Sequence, residues 1–268
     1  MASIKASVGR PGPAHGEYAH QLHSSIPDAL LQAAHDPQHA CAIICGLVLT
    51  EMRSHGQEAL KLIAERLGAD CANDVKTLYP TLRQTDPAHR LPLLDFALNS
   101  LKSLDAASQN NFVSTSQALI HIDNRVTLSE FIFSYLIRQA LNPPKQPMRS
   151  LKSFGSIESS LAILVSAMVQ ISGEPRDRQA DNFREIMRYF TQGDYSSMLE
   201  SMPGADQMTR ALDQLNSLSP LLKQPVIDAC VDCILHDQEV TLREMELLRA
   251  VSEALECPMP PIQVTLQS

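Results

Sequence analysis

Residues 97–130 read ALNSLKSLDAASQNNFVSTSQALIHIDNRVTLSE, and residues 211–244 read ALDQLNSLSPLLKQPVIDACVDCILHDQEVTLRE. With a shift of 114 residues the two stretches align without a gap and are identical at eleven of 34 positions. The shared set includes Leu98/Leu212, Leu101/Leu215, Leu104/Leu218, Ile120/Ile234 and Asp123/Asp237. It ends in Val126-Thr127-Leu128 against Val240-Thr241-Leu242, followed by Glu130/Glu244. In each copy a helix runs down to the Asp and a short polar loop follows. Thr127 or Thr241 then caps the next helix, with Glu130 or Glu244 three residues on. This is a T-x-x-E capping box, in which the hydroxyl accepts from a backbone N–H and the carboxylate reaches back to the cap residue's own N–H. The helices so started are apolar: Phe131, Phe133, Leu136 and Ile137 in one, Met245, Leu247, Leu248 and Val251 in the other. Two such units predict an all-α bundle with an internally duplicated helix–loop–helix, packed about a pseudo-twofold axis.

The rest of the chain is periodic in the same way. Apolar residues recur three and four apart in Ile26-Leu30-Leu31-Ala34, in Ala59-Leu62-Ile63-Leu67 and in Leu91-Leu94-Leu98-Leu101, the spacing of one helix face. Ala40–Leu49 and Leu161–Ile171 are the longest apolar runs. Both are shorter than the roughly 18 residues a spanning helix needs and suit buried helices. Pro27, Pro37, Pro87 and Pro220 are placed as first-turn prolines. Asn142–Ser150, NPPKQPMRS, is the best linker, with weaker breaks at Gly173–Arg178 and Gly193–Ser197. The expected organisation is a flexible arm over 1–14, a first helical half over 15–144, a linker over 145–155, a second half over 156–262 and a tail over 263–268.

Composition narrows the function classes. The 268 residues carry a formal charge of -8, no Trp and 4% aromatics. Lys and Arg are scattered, so a nucleic-acid backbone meets no basic patch and bases meet few stacking platforms. Gly numbers only 10, which favours helix over sheet. The six cysteines are irregularly spaced and read as reduced thiols.

Several motifs invite chemistry and fail on spacing. H-G-E-Y-A-H at His15–His20 places its histidines five apart, whereas H-E-x-x-H places them four apart on one helix face. Cys230-x-x-Cys233 with His236 supplies half a zinc site in neither a redox nor a four-ligand context. Under the 114-residue shift the two cysteines align with Ser116 and Leu119, ordinary helix positions, so they read as core thiols. Cys41 and Cys45, one turn apart in an apolar helix, read the same way. Asp123-Asn124-Arg125 and Asp237-Gln238-Glu239, each closed by a Glu, resemble a calcium loop. They lack its Gly, and the Glu arrives early. Asp123, Asp237 and Glu239 are therefore weak metal candidates, while Thr127, Glu130, Thr241 and Glu244 are structural caps. No nucleophile–base pair stands out, and no catalytic residue is assigned.

Two family resemblances follow from the residues. HDQEVTLREMELLRAVSEAL resembles the D-x-x-(V/I)-x-x-x-E helix of TerB-like, tellurite-resistance-type domains, which are internally duplicated helical bundles. PAHGEYAHQLHSSIPDALLQAAHDPQHACAIICGLVL resembles the stretch after the catalytic domain in bacterial HtpX-like zinc metalloproteases. The matching positions are His15, Tyr18, Ala19, Pro27, Leu30, Ala34, Asp36, Pro37, Ala40 and Leu49. The ending from Leu248-Arg249 through Cys257-Pro258-Met259-Pro260-Pro261 is similar to the same proteins' C-terminus. This resemblance implies a non-catalytic regulatory or interaction module, C-terminal to a membrane-bound zinc metalloprotease domain on the cytoplasmic side of the bacterial inner membrane, and soluble as an isolated fragment. It implies no cofactor in this chain, zinc belonging only to the absent protease domain with its H-E-x-x-H. The implied partners are the parent's own protease and membrane domains, a further protein docked in a groove between the repeated helix pairs, and a second copy in a homodimer. A TerB-like metal-responsive sensor is the alternative.

Overall fold

The structure is a computed structural model. It describes residues 13–52, 54–122, 126–143, 150–237 and 240–257, without the side chains of residues 13–15. Residues 1–12 of the expected arm over 1–14 and the tail over 263–268 therefore lie outside the described residues, as do 144–149. Helix α1 already begins at Pro13. The helices are α1 (Pro13–Ser25), α2 (Asp28–His35), α3 (Pro37–Glu51), α4 (Gly56–Leu67), α5 (Ala69–Gln84), α6 (Arg90–Leu101), α7 (Ala106–Ile120) and α8 (Leu128–Leu141). They continue as α9 (Glu158–Ile171), α10 (Arg176–Met187), α11 (Ala205–Asn216), α12 (Pro220–Leu235) and α13 (Leu242–Ala254). Short 3₁₀ turns cover Pro87–His89 and Ser196–Leu199. The fold class is all-α, and among the described residues no helix is long and apolar enough to cross a membrane.

The chain divides into two compact units, one of residues 19–143 and one containing the residues after 143, with α1 running across the boundary at Tyr18. In the first unit α3 is the hub. Ala40 and every residue from Ala42 to Leu49 are buried, so beyond its first turn this helix has no solvent face until its C-terminal end. It packs on α2, α4, α5, α6, α7 and α8. Its start is fixed by the sequence: the Asp36 side chain accepts from Gln38 N at 2.9 Å, and Pro37 supplies a preset φ in the first turn. Gly46 leaves room for Leu82 of α5, whose methyl would collide with any Cβ there. Between α4 and α5 the chain turns at Gly68, whose φ of 99° is open to glycine at little cost. Side chains also tie helix ends together: Ser100 Oγ donates to Ala34 O at 2.7 Å and Asn111 Nδ2 to Arg66 O at 2.9 Å.

In the second unit α9 holds the same place. Leu161, Ala162 and Leu164–Val169 are buried, and the helix packs on α10, α11, α12 and α13. The expected linker over 145–155 is described only from residue 150. There Leu151 forms an isolated parallel bridge with Leu218, through Leu151 N to Ser217 O at 2.8 Å and Ser219 N to Leu151 O at 2.9 Å. The end of that segment is thus built into the second unit.

Pro37, Pro87 and Pro220 open helical turns, while Pro27 lies one residue outside α2 as its N-cap. Pro80 and Pro225 fall inside α5 and α12, a placement that local preference opposes because each removes one ladder hydrogen bond.

If the hubs hold the units together, Ile44→Ala and Leu161→Ala, both at fully buried sites, should each cost about 2–5 kcal/mol in urea unfolding. Leu221→Ala, at a site 87% exposed, should change stability by less than about 0.5 kcal/mol.

Candidate functional site

The two capped loops are the natural places to look, because short polar connections between buried helices gather charge. Both caps form. Thr127 Oγ1 accepts from Glu130 N at 3.3 Å, and Glu130 Oε2 accepts from Thr127 N and Thr127 Oγ1, each at 2.8 Å. Thr241 and Glu244 repeat this geometry, with Glu244 Oε2 at 2.7 Å from both Thr241 N and Thr241 Oγ1. Both glutamates are buried while both threonines are exposed.

Around the second cap other polar groups converge. Glu174, in the turn after α9, is buried, and its carboxylate lies 3.1 and 3.3 Å from His236 Nδ1 at the end of α12. Gln179 Nε2 donates to Glu174 O at 2.8 Å, and Arg178 stands 4.0 Å from its carboxylate. Asn182 of α10, almost fully buried, reaches Cys233 O at 3.4 Å. Glu244 closes the cluster. Its Oε2 is occupied by the cap, but among the described residues its buried Oε1 has no hydrogen-bond partner. Burial raises the Glu244 pKa above the ordinary carboxylate value. The negative charges of Asp237 and Glu174 add to that rise, and the bonds from Thr241 oppose it. The surroundings thus favour a proton on Glu244 and include the His236–Glu174 contact.

The first loop differs. The position equivalent to His236 under the 114-residue shift is Ile122, and the neighbouring imidazole, His121, has its Nδ1 2.8 Å from Gln117 O. Asp123 and Glu239, two of the three weak metal candidates, lie outside the described residues. Asp237 is described and half-buried at the end of α12. Among the described residues no group of three or more His, Cys, Asp or Glu side chains is placed to hold a metal ion. Cys230 and Cys233 are free and buried in α12, and burial pushes the Cys230 thiol up to about 12. In α1, Glu17 and His20 of the H-G-E-Y-A-H stretch are exposed.

Sequence reasoning placed Glu244 as a cap but not as part of a cluster. Glu174 carries no motif, and its partner His236 is 62 residues away. The only local signal was the chain break at Gly173–Arg178.

A second feature lies in the first unit. A semi-open cleft of about 450 Å³ runs between the end of α3, α4 and α5. Leu49, Met52, Leu60 and Val75 supply apolar wall, and Lys76 and Tyr79 supply polar groups.

No family model, no curated protein and no solved structure matches this chain.

The cluster makes a pH prediction. Because the folded-state pKa of Glu244 lies above its unfolded value, the folded state binds the extra proton, and this contribution is lost as pH rises through the folded pKa. Glu244→Gln, uncharged at every pH, should therefore gain on the wild type as pH rises from the ordinary carboxylate range through the raised folded pKa, and hold that gain above it, in urea-midpoint series. Thr127→Ala and Thr241→Ala should each cost about 1 kcal/mol.

Proposed function

We propose that this chain is a non-catalytic regulatory or interaction module, C-terminal to the catalytic domain of a membrane-bound zinc metalloprotease and facing the cytoplasm. We infer that its two units descend from one duplicated capped hairpin of the TerB-like kind. The observation carrying the duplication is one of register. Under the same 114-residue shift that aligns the sequence, α7 and α12 start at equivalent residues, Ala106 and Pro220, as do α8 and α13, at Leu128 and Leu242. The packing supports it too: α6, α7 and α8 surround α3 as α11, α12 and α13 surround α9.

The protease context rests on the resemblance of the segments His15–Leu49 and Leu248–Pro261, while H-E-x-x-H itself is absent from the 268 residues. Proteolysis then belongs to a preceding domain, and this chain's work is recognition. The cleft of the first unit suits that work. Its apolar lining would accept the apolar face of a partner segment, and Lys76 would meet an acidic residue on it.

A metal-responsive sensor is the second reading, favoured by Glu244 Oε1, which has no partner among the described residues and stands beside Glu174 and Asp237. Calorimetry with calcium, magnesium and zinc separates the two. Heat and a raised melting temperature that vanish in Glu244→Gln support the sensor, and no response removes it.

Reading the gene upstream of this segment tests the main proposal directly. An in-frame zinc-protease domain with H-E-x-x-H is the expected result, and an upstream stop with no such domain contradicts it. With that domain in hand, Leu60→Asp should weaken its binding to this module by about tenfold, roughly 1.4 kcal/mol. Unchanged affinity would remove the cleft from the account.

A further inference from the structure

The cleft of the first unit continues into a second hollow of about 560 Å³, and the two share Gln57, Leu60 and Lys76 as walls. Helices α4 and α5 pack on each other and are joined only by Gly68. The two hollows therefore form one trough that follows this helix pair from the Gly68 turn toward Met52. On α4 it is lined by Gln57, Leu60, Lys61 and Ala64, the spacing of a single helix face. On α5 Ala69, Ala72, Lys76 and Tyr79 stand three and four apart in the same way. Ala72 and Val75 are buried and form the floor, and Leu60 and Ala64 are half-buried walls. Alanine at 64, 69 and 72 leaves room for another backbone to come close. From Ala69 to Tyr79 the trough spans about 15 Å, or roughly three helical turns.

The geometry points to one occupant: a short, acidic, amphipathic α-helix of a partner protein, lying along the α4–α5 trough. Its apolar stripe covers Leu60, Ala64 and Val75, and its carboxylates meet Lys61 and Lys76. This rests on the reading of the chain as a recognition module and names the chemistry of what the cleft recognises.

Charge selects the acidic partner. Acids outnumber bases 30 to 22 in the chain, yet among the described residues the trough is lined by two lysines and no Asp or Glu. One lysine comes from each helix, so carboxylates on both flanks of an apolar stripe find a cation. Lys76 is exposed. Lys61 stands 3.8 Å from Glu65, with both side chains largely in water. Such a pair is worth little and gives way to a partner's carboxylate. A basic helix would meet the two lysines and is turned away.

Shape selects the helix. An extended strand needs a sheet edge and a Pro-rich segment needs an aromatic-lined groove. The trough lies between two helices, and Tyr79 is its single aromatic among the described residues. A small amphiphile needs a pocket that encloses most of its surface, which a trough open along its length does not supply.

The test selects a displayed library of helical peptides, about 15 residues long so that the helix can hold, on the intact chain. Enriched sequences should carry apolar residues at i, i+3 or i+4 and i+7, with Asp and Glu outnumbering Lys and Arg. A synthetic copy of the leading peptide should bind about tenfold more weakly to Lys76→Glu, and more weakly to the wild type as salt rises. Changing the facing Glu of the peptide to Lys should restore binding to Lys76→Glu. Melting temperature checks that the variant folds, and Lys61→Glu serves in its place if it does not. Enrichment of basic or uncharged helices, no enrichment at all, or binding indifferent to both Lys76→Glu and Leu60→Asp would overturn the inference. So would a rise in melting temperature with laurate that Leu60→Asp abolishes while no helix is selected. Acidic helices selected on this trough in a chain with no protease domain upstream would keep the docking site and remove the parent. A protease domain upstream with no helix selected would do the reverse.

Discussion

The constraint on which this structure depends is that each unit contains one helix with no side facing water. An amphipathic helix can rest on a single neighbour, but α3 and α9 cannot. Their apolar side chains point in every direction, so each stays out of water only when ringed by other helices. Removing this much apolar surface from water is the main favourable term available to a chain without metals or disulfides among its described residues. It also sets the local details. Gly46 lets α5 approach closely, and Asp36 and Pro37 start α3 at a defined residue so that its long apolar run enters the core in one register.

Polar groups then work at the margins of these cores. Every helix end leaves backbone groups without intrahelical partners, and the two Thr–Glu boxes satisfy some of them with buried carboxylates. Burying a carboxylate is costly unless its oxygens are bonded. Among the described residues the second loop meets that cost incompletely, since Glu244 Oε1 lacks a partner there while Glu174 stands nearby. Under the 114-residue shift the first loop carries Ile122 where the second has His236, so the two capped loops differ in chemistry. That asymmetry is where a difference in role between the two units would reside.

Much of the architecture was legible in the sequence. The two longest apolar runs, Ala40–Leu49 and Leu161–Ile171, are the hub helices, because total burial leaves no polar stripe to break the run. The cap residues were legible because a capping box is local, three residues from hydroxyl to carboxylate. The helices around Pro80 and Pro225 were harder, since tertiary packing there overrides a strong local preference. The candidate site was least legible. Glu174 and His236 meet only through the packing of α9, α10 and α12, and no spacing ties them.

Native-state hydrogen exchange of the intact chain tests the hub arrangement most directly. If α3 and α9 are the centres of their units, the amides of Ala40–Leu49 and Leu161–Val169 should be the slowest to exchange, opening only when their unit unfolds. Exchange in either segment as fast as in the more exposed α10 would contradict the account.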